Sequence, residues 1–397
     1  MKIADLNKIQ EVLTRGVREV IEKDHLERRL RQGEPLRVKF GIDPTAKDLH
    51  LGNAVALWKL KEFQDLGHKI VLIIGDFTAR IGDPSGRSAE RKTLTEKEIK
   101  ENMKTYKKQI GKFLDLKKAE IIYNSQHLSK LSFAEIYRIA HFFSVNQIFE
   151  RDMFQERRKT GRPVWLHEFF YPVFQAYDSI VVKADIEIGG SDQLFNMMMG
   201  RQLQSRFNQP AQDIITTKLL VGIDGVKKMS KSYGNYIGIQ ESSNEQYGKI
   251  MSIKDELIGE YFELCTFLPK EEIEQIKKKL ENKKINPRDA KMRLAREIVK
   301  IYHHEKAAGR AEENFKKIFQ KGAWPEKMPE VFIKSPIKLS KILLAQKIIP
   351  SNAEFRRLVK SRSVEIDQKT VSDVNLIISG PAAVRIGKFR FLKVSFK

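Results

Sequence analysis

Hydrophobic and polar positions along the chain change period several times, and each change marks an element. Ile9, Val12, Leu13, Val17, Val20 and Ile21 fall at helical spacing, so residues 1–35 are expected to form packing helices ending at Gly33 and Pro35. Val38, Phe40 and Ile42 then alternate as a short strand does, and Asp43-Pro44-Thr45 breaks it. Ala54, Val55, Leu57, Trp58 and Leu60 return to the helical period, in a helix that opens on His50, Gly52 and Asn53. Ile70-Val71-Leu72-Ile73-Ile74 is a continuous apolar run, suited to a strand covered on both faces of a parallel sheet. Strand, helix and strand in that order begin a doubly wound α/β fold.

From about 96 to 165 the pattern is mostly helical, and its aromatic cluster of Phe142, Phe143, Phe149 and Phe154 reads as core first and subunit interface second. A helix crosses Phe169–Asp178, and Ile186-Glu187-Ile188 is a strand followed by a Gly189-Gly190 turn and a methionine-rich helix. Residues 240–320 read as helical and Gly322–Pro329 as a linker. Ile337–Lys397 holds two short helices and then strands at Val364–Asp367 and Phe389–Val394.

Composition narrows the class. At 397 residues, 41% hydrophobic and 31% charged, the chain is a soluble globular protein of two or three domains. It has no run of eighteen apolar residues and does not begin with a signal peptide, so a cytoplasmic protein off the membrane is expected. Cys265, the one cysteine, excludes an intramolecular disulfide and a cysteine metal cluster; among Leu264, Phe267 and Leu268 it reads as a buried inert thiol. A net charge of +22 suits either a polyanion partner or general lysine enrichment. Residues 334–397 carry 14 Lys and Arg against 4 Asp and Glu, and this concentration favours a surface for a phosphate backbone.

Candidate chemistry gathers where strands end. The first-turn N–H groups of the helix after His50 suit a phosphate, and the loop Gly75–Arg87 sits at a strand's carboxyl end, where open α/β sheets bind ligands. There Asp83 can neutralise an amine, and Arg87 and Arg91 can reach phosphates. Tyr171, Gln175 and Asp178, at i, i+4 and i+7, share one face of an otherwise apolar helix. Such a face points either into a polar pocket or into solvent. Lys228 and Lys231 lie on a loop bounded by Gly225 and Gly234 that can close over an anion. No carboxylate cluster with metal-ligand spacing accompanies these motifs, so no protein-held metal is expected.

His50-Leu51-Gly52-Asn53 and Lys228-Met229-Ser230-Lys231-Ser232 resemble the HIGH and KMSKS motifs of class I aminoacyl-tRNA synthetases. Tyr171, Gln175 and Asp178 resemble the YxxxQxxD amino-acid pocket of the tyrosyl-tRNA synthetases of bacterial type, and GGSDQ at 189–193 their ribose-binding segment. The resemblance implies a Rossmann-like doubly wound parallel sheet over residues 1–222, with a helical dimerisation insertion at about 115–165. A KMSKS loop and helical anticodon-side domain follow over 223–330, then a small α+β RNA-binding domain like that of ribosomal protein S-four over 334–397. It also implies a homodimer that activates L-tyrosine with ATP and transfers it to tRNA(Tyr), with Mg²⁺ carried on the ATP.

By that resemblance Thr45, His50 and Asn53 act on the phosphates, joined by Arg87, Arg91, Lys228 and Lys231 from mobile loops. Gly41, Asp43, Gly52, Gly190, Asp192 and Met229 complete the ATP site with His50 and Lys231. Asp83, Tyr171 and Gln175 hold the tyrosine ammonium, Asp178 accepts the phenol proton, and Gln193 lies by the carboxylate. Arg356, Arg357, Lys360 and Arg362 face RNA. Three departures stand out. Asn53 replaces the usual second histidine and cannot carry its charge. Lys39 stands where many members place a tyrosine against the substrate hydroxyl, which puts more of phenol recognition on Asp178. Ser361-Arg362-Ser363 replaces the glycines usual in the turn of the S-four-like domain. A tryptophanyl-tRNA synthetase and a non-catalytic RNA-binding paralogue are the alternatives; Asp178 speaks against the first, and intact His50, Lys228 and Lys231 against the second.

Overall fold

The computed structural model describes residues 6–85, 94–320, 328–346, 348–349, 351–387 and 390–396. Arg87, Arg91 and most of the Gly322–Pro329 segment lie outside the described residues. The chain divides into two compact units, Met1–Gly309 and Arg310–Lys397.

A six-stranded sheet organises the first unit. Its strands are β1 (Val17–Ile21), β2 (Arg37–Ile42), β3 (Lys69–Ile74), β4 (Glu120–Tyr123), β5 (Ile186–Gly190) and β6 (Asp213–Thr217), in the order β1-β6-β5-β2-β3-β4. All neighbours run parallel except β1, which pairs antiparallel with β6. β2 and β3 stay paired from Arg37↔Lys69 to Ile42↔Ile74, and β5 and β6 from Ile186↔Asp213 to Gly190↔Thr217. Between β2 and β5, however, pairing is confined to Val38↔Ile186 and Lys39↔Glu187. The two halves of the sheet therefore part towards their carboxyl ends, at the topological switch where such folds bind ligands.

Two elements depart from the sequence expectation. Val17, Val20 and Ile21 form strand β1, flanked by the helices Leu6–Thr14 and Lys23–Gln32. Gly16, at φ +64°, turns the chain out of the first helix, and hydrogen bonding to the open edge of β6 then outweighs the helical spacing. Within the stretch read as helical, β4 adds a four-residue parallel strand beside β3. The remaining helices over 243–320 fall where the apolar period puts them, and Cys265 is buried among them. Burial pushes its thiol pKa up, which keeps it protonated and unreactive.

Three helices frame the crevice: α1 (Leu51–Asp65), α2 (Leu166–Val182) and α3 (Leu194–Arg206). α2 and α3 bury Ala176, Ile180, Met199 and Leu203 in one apolar cluster with Phe154. α2 begins on a buried ion pair. Arg157 donates to both oxygens of Glu168 at 2.8 and 2.7 Å, the two side chains being 1% and 3% exposed, and Glu168 also accepts from the Trp165 N–H at 3.0 Å.

The second unit is small and α+β. Strands β7 (Glu330–Ile333), β8 (Ile337–Lys338), β9 (Val364–Ile366), β10 (Lys369–Thr370), β11 (Ile377–Ile378), β12 (Ala382–Ile386) and β13 (Arg390–Phe396) accompany two helices, Leu339–Ala345 and Asn352–Lys360. Five strands make a sheet in the order β10-β9-β12-β13-β7, over a core that includes Leu343, Phe355, Val364, Val384 and Val394. Arg362 takes φ +53°, the left-handed conformation a glycine would adopt more easily after a helix. Asp367 and Gln368, at φ +45° and +67°, form the two-residue turn joining β9 to β10.

Glu168→Ala leaves the Arg157 guanidinium as an unpaired buried charge at the start of α2. The expected loss of stability is about 3–5 kcal/mol, read as a lower urea midpoint of the first unit. A loss under ~1 kcal/mol, the range of an exposed pair, would show that the pair does not anchor the helix.

Candidate active site

The turn from β2 into α1 builds one wall. Thr45 N–H donates to Asp43 O at 2.8 Å, and the chain reaches His50 in an extended conformation before α1 begins. His50 N–H donates to Asn53 Oδ1 at 3.1 Å, so Asn53 caps the helix entry with its oxygen. Leu51 N–H donates across to Ile237 O at 3.0 Å, tying this wall to the chain that follows the KMSKS-like loop. A Cβ on Gly52 would come within 3.0 Å of the His50 ring, so glycine here lets the imidazole lie against the backbone. His50 Nδ1 is buried with no hydrogen-bond partner. Burial, and then the nearby charges of Lys231 and Lys228, push the imidazole pKa down to about 4. Near neutrality His50 is therefore an uncharged ring whose N–H can donate to an anionic oxygen.

Opposite stands the loop carrying Lys228-Met229-Ser230-Lys231. Val221 bridges Lys228, and Met229 N–H donates to Leu220 O at 2.7 Å. Asn235, 2% exposed, holds the loop from inside: its Oδ1 accepts from Ser230 N–H at 2.8 Å, and its Nδ2 donates to Asp224 at 2.9 Å. Lys228 pairs with Asp192, and Lys231 sits 4.0 Å from Asp48. Burial lowers the Lys231 pKa.

The third wall comes from α2. Asp178, 3% exposed, accepts from His127 Nε2 at 2.6 Å and from Asn124 Nδ2 at 3.3 Å. Tyr171 OH donates to Asp43 at 3.0 Å, and Gln193 Nε2 donates to Asp83 at 2.6 Å. A Cβ on Gly75 would lie 1.9 Å from Asp43 Oδ1, so only glycine at the end of β3 admits that carboxylate. Lys39 does not reach Asp178; its ammonium is spent on Gln175 O, Ser179 and Glu187, at 3.0, 2.7 and 2.9 Å.

These walls enclose one open cleft of about 1440 Å³ between the carboxyl ends of β2 and β5. Gly41, Asp43, Thr45, His50, Gly52 and Asn53 line it from the β2 side. Asp83, Tyr171, Gln175 and Asp178 line it as well. Gly190, Asp192, Gln193, Lys228 and Met229 close the β5 side. Lys231 faces an adjoining recess that shares Thr45 and His50 with the cleft. Arg356, Arg357, Lys360 and Arg362 belong to the second unit, all exposed, with Arg357 ion-paired to Glu354 at 2.8 Å.

Sequence reading missed four polar groups here. Asn124 and His127 follow β4, and a stretch read as helix puts no loop at the sheet's carboxyl edge. Glu187 is hidden inside a strand, and Asn235 lies three residues beyond the motif it supports.

A family model for class I tRNA synthetases (W and Y) matches residues 31–320. The chain is 45% identical to a tyrosine–tRNA ligase of Carboxydothermus hydrogenoformans over the full length of both, and 45% identical to one of Thermotoga maritima across 97% of this chain and 96% of that protein. Its fold is similar to a crystal structure of tyrosyl-tRNA synthetase complexed with L-tyrosine from Archaeoglobus fulgidus, with a TM-score of 0.63 at 22% identity, covering 78% of this chain and all of that one.

The His50 environment has a sign that can be measured. Below pH 6.5 the unfolded chain's His50 takes up a proton that the folded chain refuses until about pH 4, so the stability it contributes is present above 6.5 and lost as pH falls through 4. NMR titration should place the His50 pKa near 4, and added pyrophosphate should raise it, since an anion would then face the ring. A value near 6.5 in the free protein would exclude the buried neutral imidazole.

Proposed function

The chain belongs to the class I tRNA synthetases for tryptophan and tyrosine, on the tyrosine–tRNA ligase branch, and we propose how its residues divide that enzyme's work. The enzyme activates L-tyrosine with ATP, releases pyrophosphate, and passes the tyrosyl group to the 3′ end of tRNA(Tyr). The tyrosine carboxylate attacks the α-phosphorus, so no nucleophilic side chain is needed, and catalysis is positioning plus charge stabilisation.

The observation that carries the reading is Asp178, buried in the wall of a cleft that His50 and Lys228 also line. In that place its carboxylate accepts the substrate phenol, held in orientation by His127 and Asn124. Asp83, Tyr171 and Gln175 take the ammonium, and Gln193 lies by the carboxylate. Gly190 and Asp192 take the ribose, and Gly41, Asp43 and Gly52 leave room for the nucleotide against Met229. Thr45, the neutral His50 ring and Asn53 bind the phosphates from one side. Lys228 and Lys231 bind them from the other, joined by Arg87 and Arg91. Lys228 exchanges Asp192 for phosphate as the nucleotide enters, an exchange favoured by the partial exposure of that pair.

Mg²⁺ arrives on the ATP, whose phosphate oxygens supply the ligands this ion favours. The exposed Phe133, Tyr137, Val145, Trp165 and Leu166, all from the helical insertion or the start of α2, supply the apolar face of a homodimer. In the second unit, Arg356, Arg357, Lys360 and Arg362 contact the tRNA backbone. No helix among the described residues is long and apolar enough to cross a membrane, and this reading puts the enzyme in the cytoplasm with its tRNA.

Asp178→Asn keeps the shape and removes the anionic acceptor. It should lower kcat/KM for tyrosine in ATP–pyrophosphate exchange by roughly 10- to 150-fold, the cost of an unsatisfied buried partner, while phenylalanine activation changes little. Equal effects on both amino acids would move phenol recognition elsewhere. Lys231→Ala should slow adenylate formation about 10²–10³-fold and leave the tyrosine Kd within about twofold, as a contact made in the transition state requires. Equal losses in rate and tyrosine affinity would contradict that role.

A further inference from the structure

Lys39 and Glu187 face each other across the last rung that joins β2 to β5. Both are fully buried, at 0% and 2% exposure, and every donor on the lysine is matched. Glu187 Oε1 accepts from Lys39 and, at 3.2 Å, from Gln175 Nε2; its Oε2 accepts from Ser179 and Gln212. The pair is thus a fixed carboxylate with its charge balanced in place.

From it runs a chain of three amides ending on Asp83. Gln175 Nε2 donates to Glu187, and Gln175 Oε1 accepts from Asn196 Nδ2 at 3.0 Å. The same Asn196 Nδ2 donates to Gln193 Oε1 at 2.9 Å, and Gln193 Nε2 donates to Asp83. An amide can present either end to a neighbour, but an ionised carboxylate only accepts. With carboxylates at both ends, Gln175 and Gln193 must turn their NH₂ groups outward to Glu187 and Asp83, and Asn196 must turn its NH₂ group to both their oxygens. One orientation links all three amides from Glu187 to Asp83. Asn196 Oδ1 is left buried without a hydrogen-bond partner, a cost that Asn196 by itself would not choose.

We propose that the Lys39–Glu187 pair is a positioning device for the amino-acid pocket: it sets the direction of the Gln175–Asn196–Gln193 amide chain so that the Gln175 oxygen, not its NH₂ group, faces the substrate's ammonium. This rests on the reading above that Gln175 and Asp83 lie at that ammonium. Gln175 lines the cleft, and its Oε1 keeps a lone pair beyond the one Asn196 uses. Without an anion at 187 the Gln175 amide is free to turn, and its NH₂ group would then oppose the cation it should receive. Neither Lys39 nor Glu187 touches the reacting atoms, so their part is orientation.

The test compares tyrosine with 3-(4-hydroxyphenyl)propanoate, the same molecule without its amino group. In the full-length enzyme Glu187→Gln should weaken tyrosine binding by about tenfold or more, the loss expected when a charged group meets the wrong end of an amide. The des-amino compound should bind within about twofold of wild type. Should Glu187→Gln fail to fold because Lys39 is stranded, the double variant Lys39→Gln with Glu187→Gln removes both charges and should show the same selective loss. An equal loss for both ligands, or none for either, overturns the proposal. Asp83→Asn separates it from its premise: if that change weakens both ligands alike, the ammonium lies elsewhere and the pocket reading fails. If Asp83→Asn is selective and Glu187→Gln is not, only the positioning role falls.

Discussion

The whole site depends on how little of β2 is bonded to β5. Parallel strands that stayed paired to their ends would leave no crevice, as β2 and β3 show along six consecutive residues. Pairing that stops after Lys39↔Glu187 lets the next residues of each strand diverge, and the cleft lies in the gap. Much of the first unit's site hangs from strand ends: the turn into α1 after β2, Gly75 after β3, Asn124 after β4, and Gly190-Ser191-Asp192 at the end of β5. α2, packed across the opening, supplies the remaining polar face.

Burial sorts the ion pairs around the cleft into two kinds. Lys39 and Glu187 expose 1% and 2% of their side chains, and breaking such a pair costs about 3–5 kcal/mol. Lys228 and Asp192 expose 28% and 20%, where the pairing is worth ~0–1 kcal/mol. One pair can therefore act as a fixed frame and the other can trade partners, although both are a lysine beside a carboxylate. His50 belongs to neither kind, since burial leaves its ring uncharged between two lysines.

Legibility in the sequence followed contiguity. Motifs written as short strings, HLGN, YxxxQxxD and KMSKS, could be placed at once, because adjacent residues carry both the element and the chemistry. The central strands were also plain, since a strand buried on both faces must be apolar throughout. Edge strands were not: β1 and β4 have five and four residues, and their pairing partners, not their own period, decide them. Losing β4 hid Asn124 and His127, whose position beside Asp178 depends on where that strand stops. Glu187 and Lys39 were legible as residues, yet their pairing is a property of register between strands almost 150 positions apart. Asn53 shows the converse: a departure from the family pattern gains a plain role, capping α1, once the backbone is seen.

The antiparallel partnership of β1 with β6 joins Val17 to Thr217. A ribosome adding about 5–20 residues per second emits the first of these strands some 10–40 s before the second. Through that interval the amino-terminal strand has no ladder to join, while β2, β3 and β4 behind it can already associate. Closure of the sheet's outer edge is thus among the last events of its assembly, set by the polymer's own connectivity and not by the strength of any one contact.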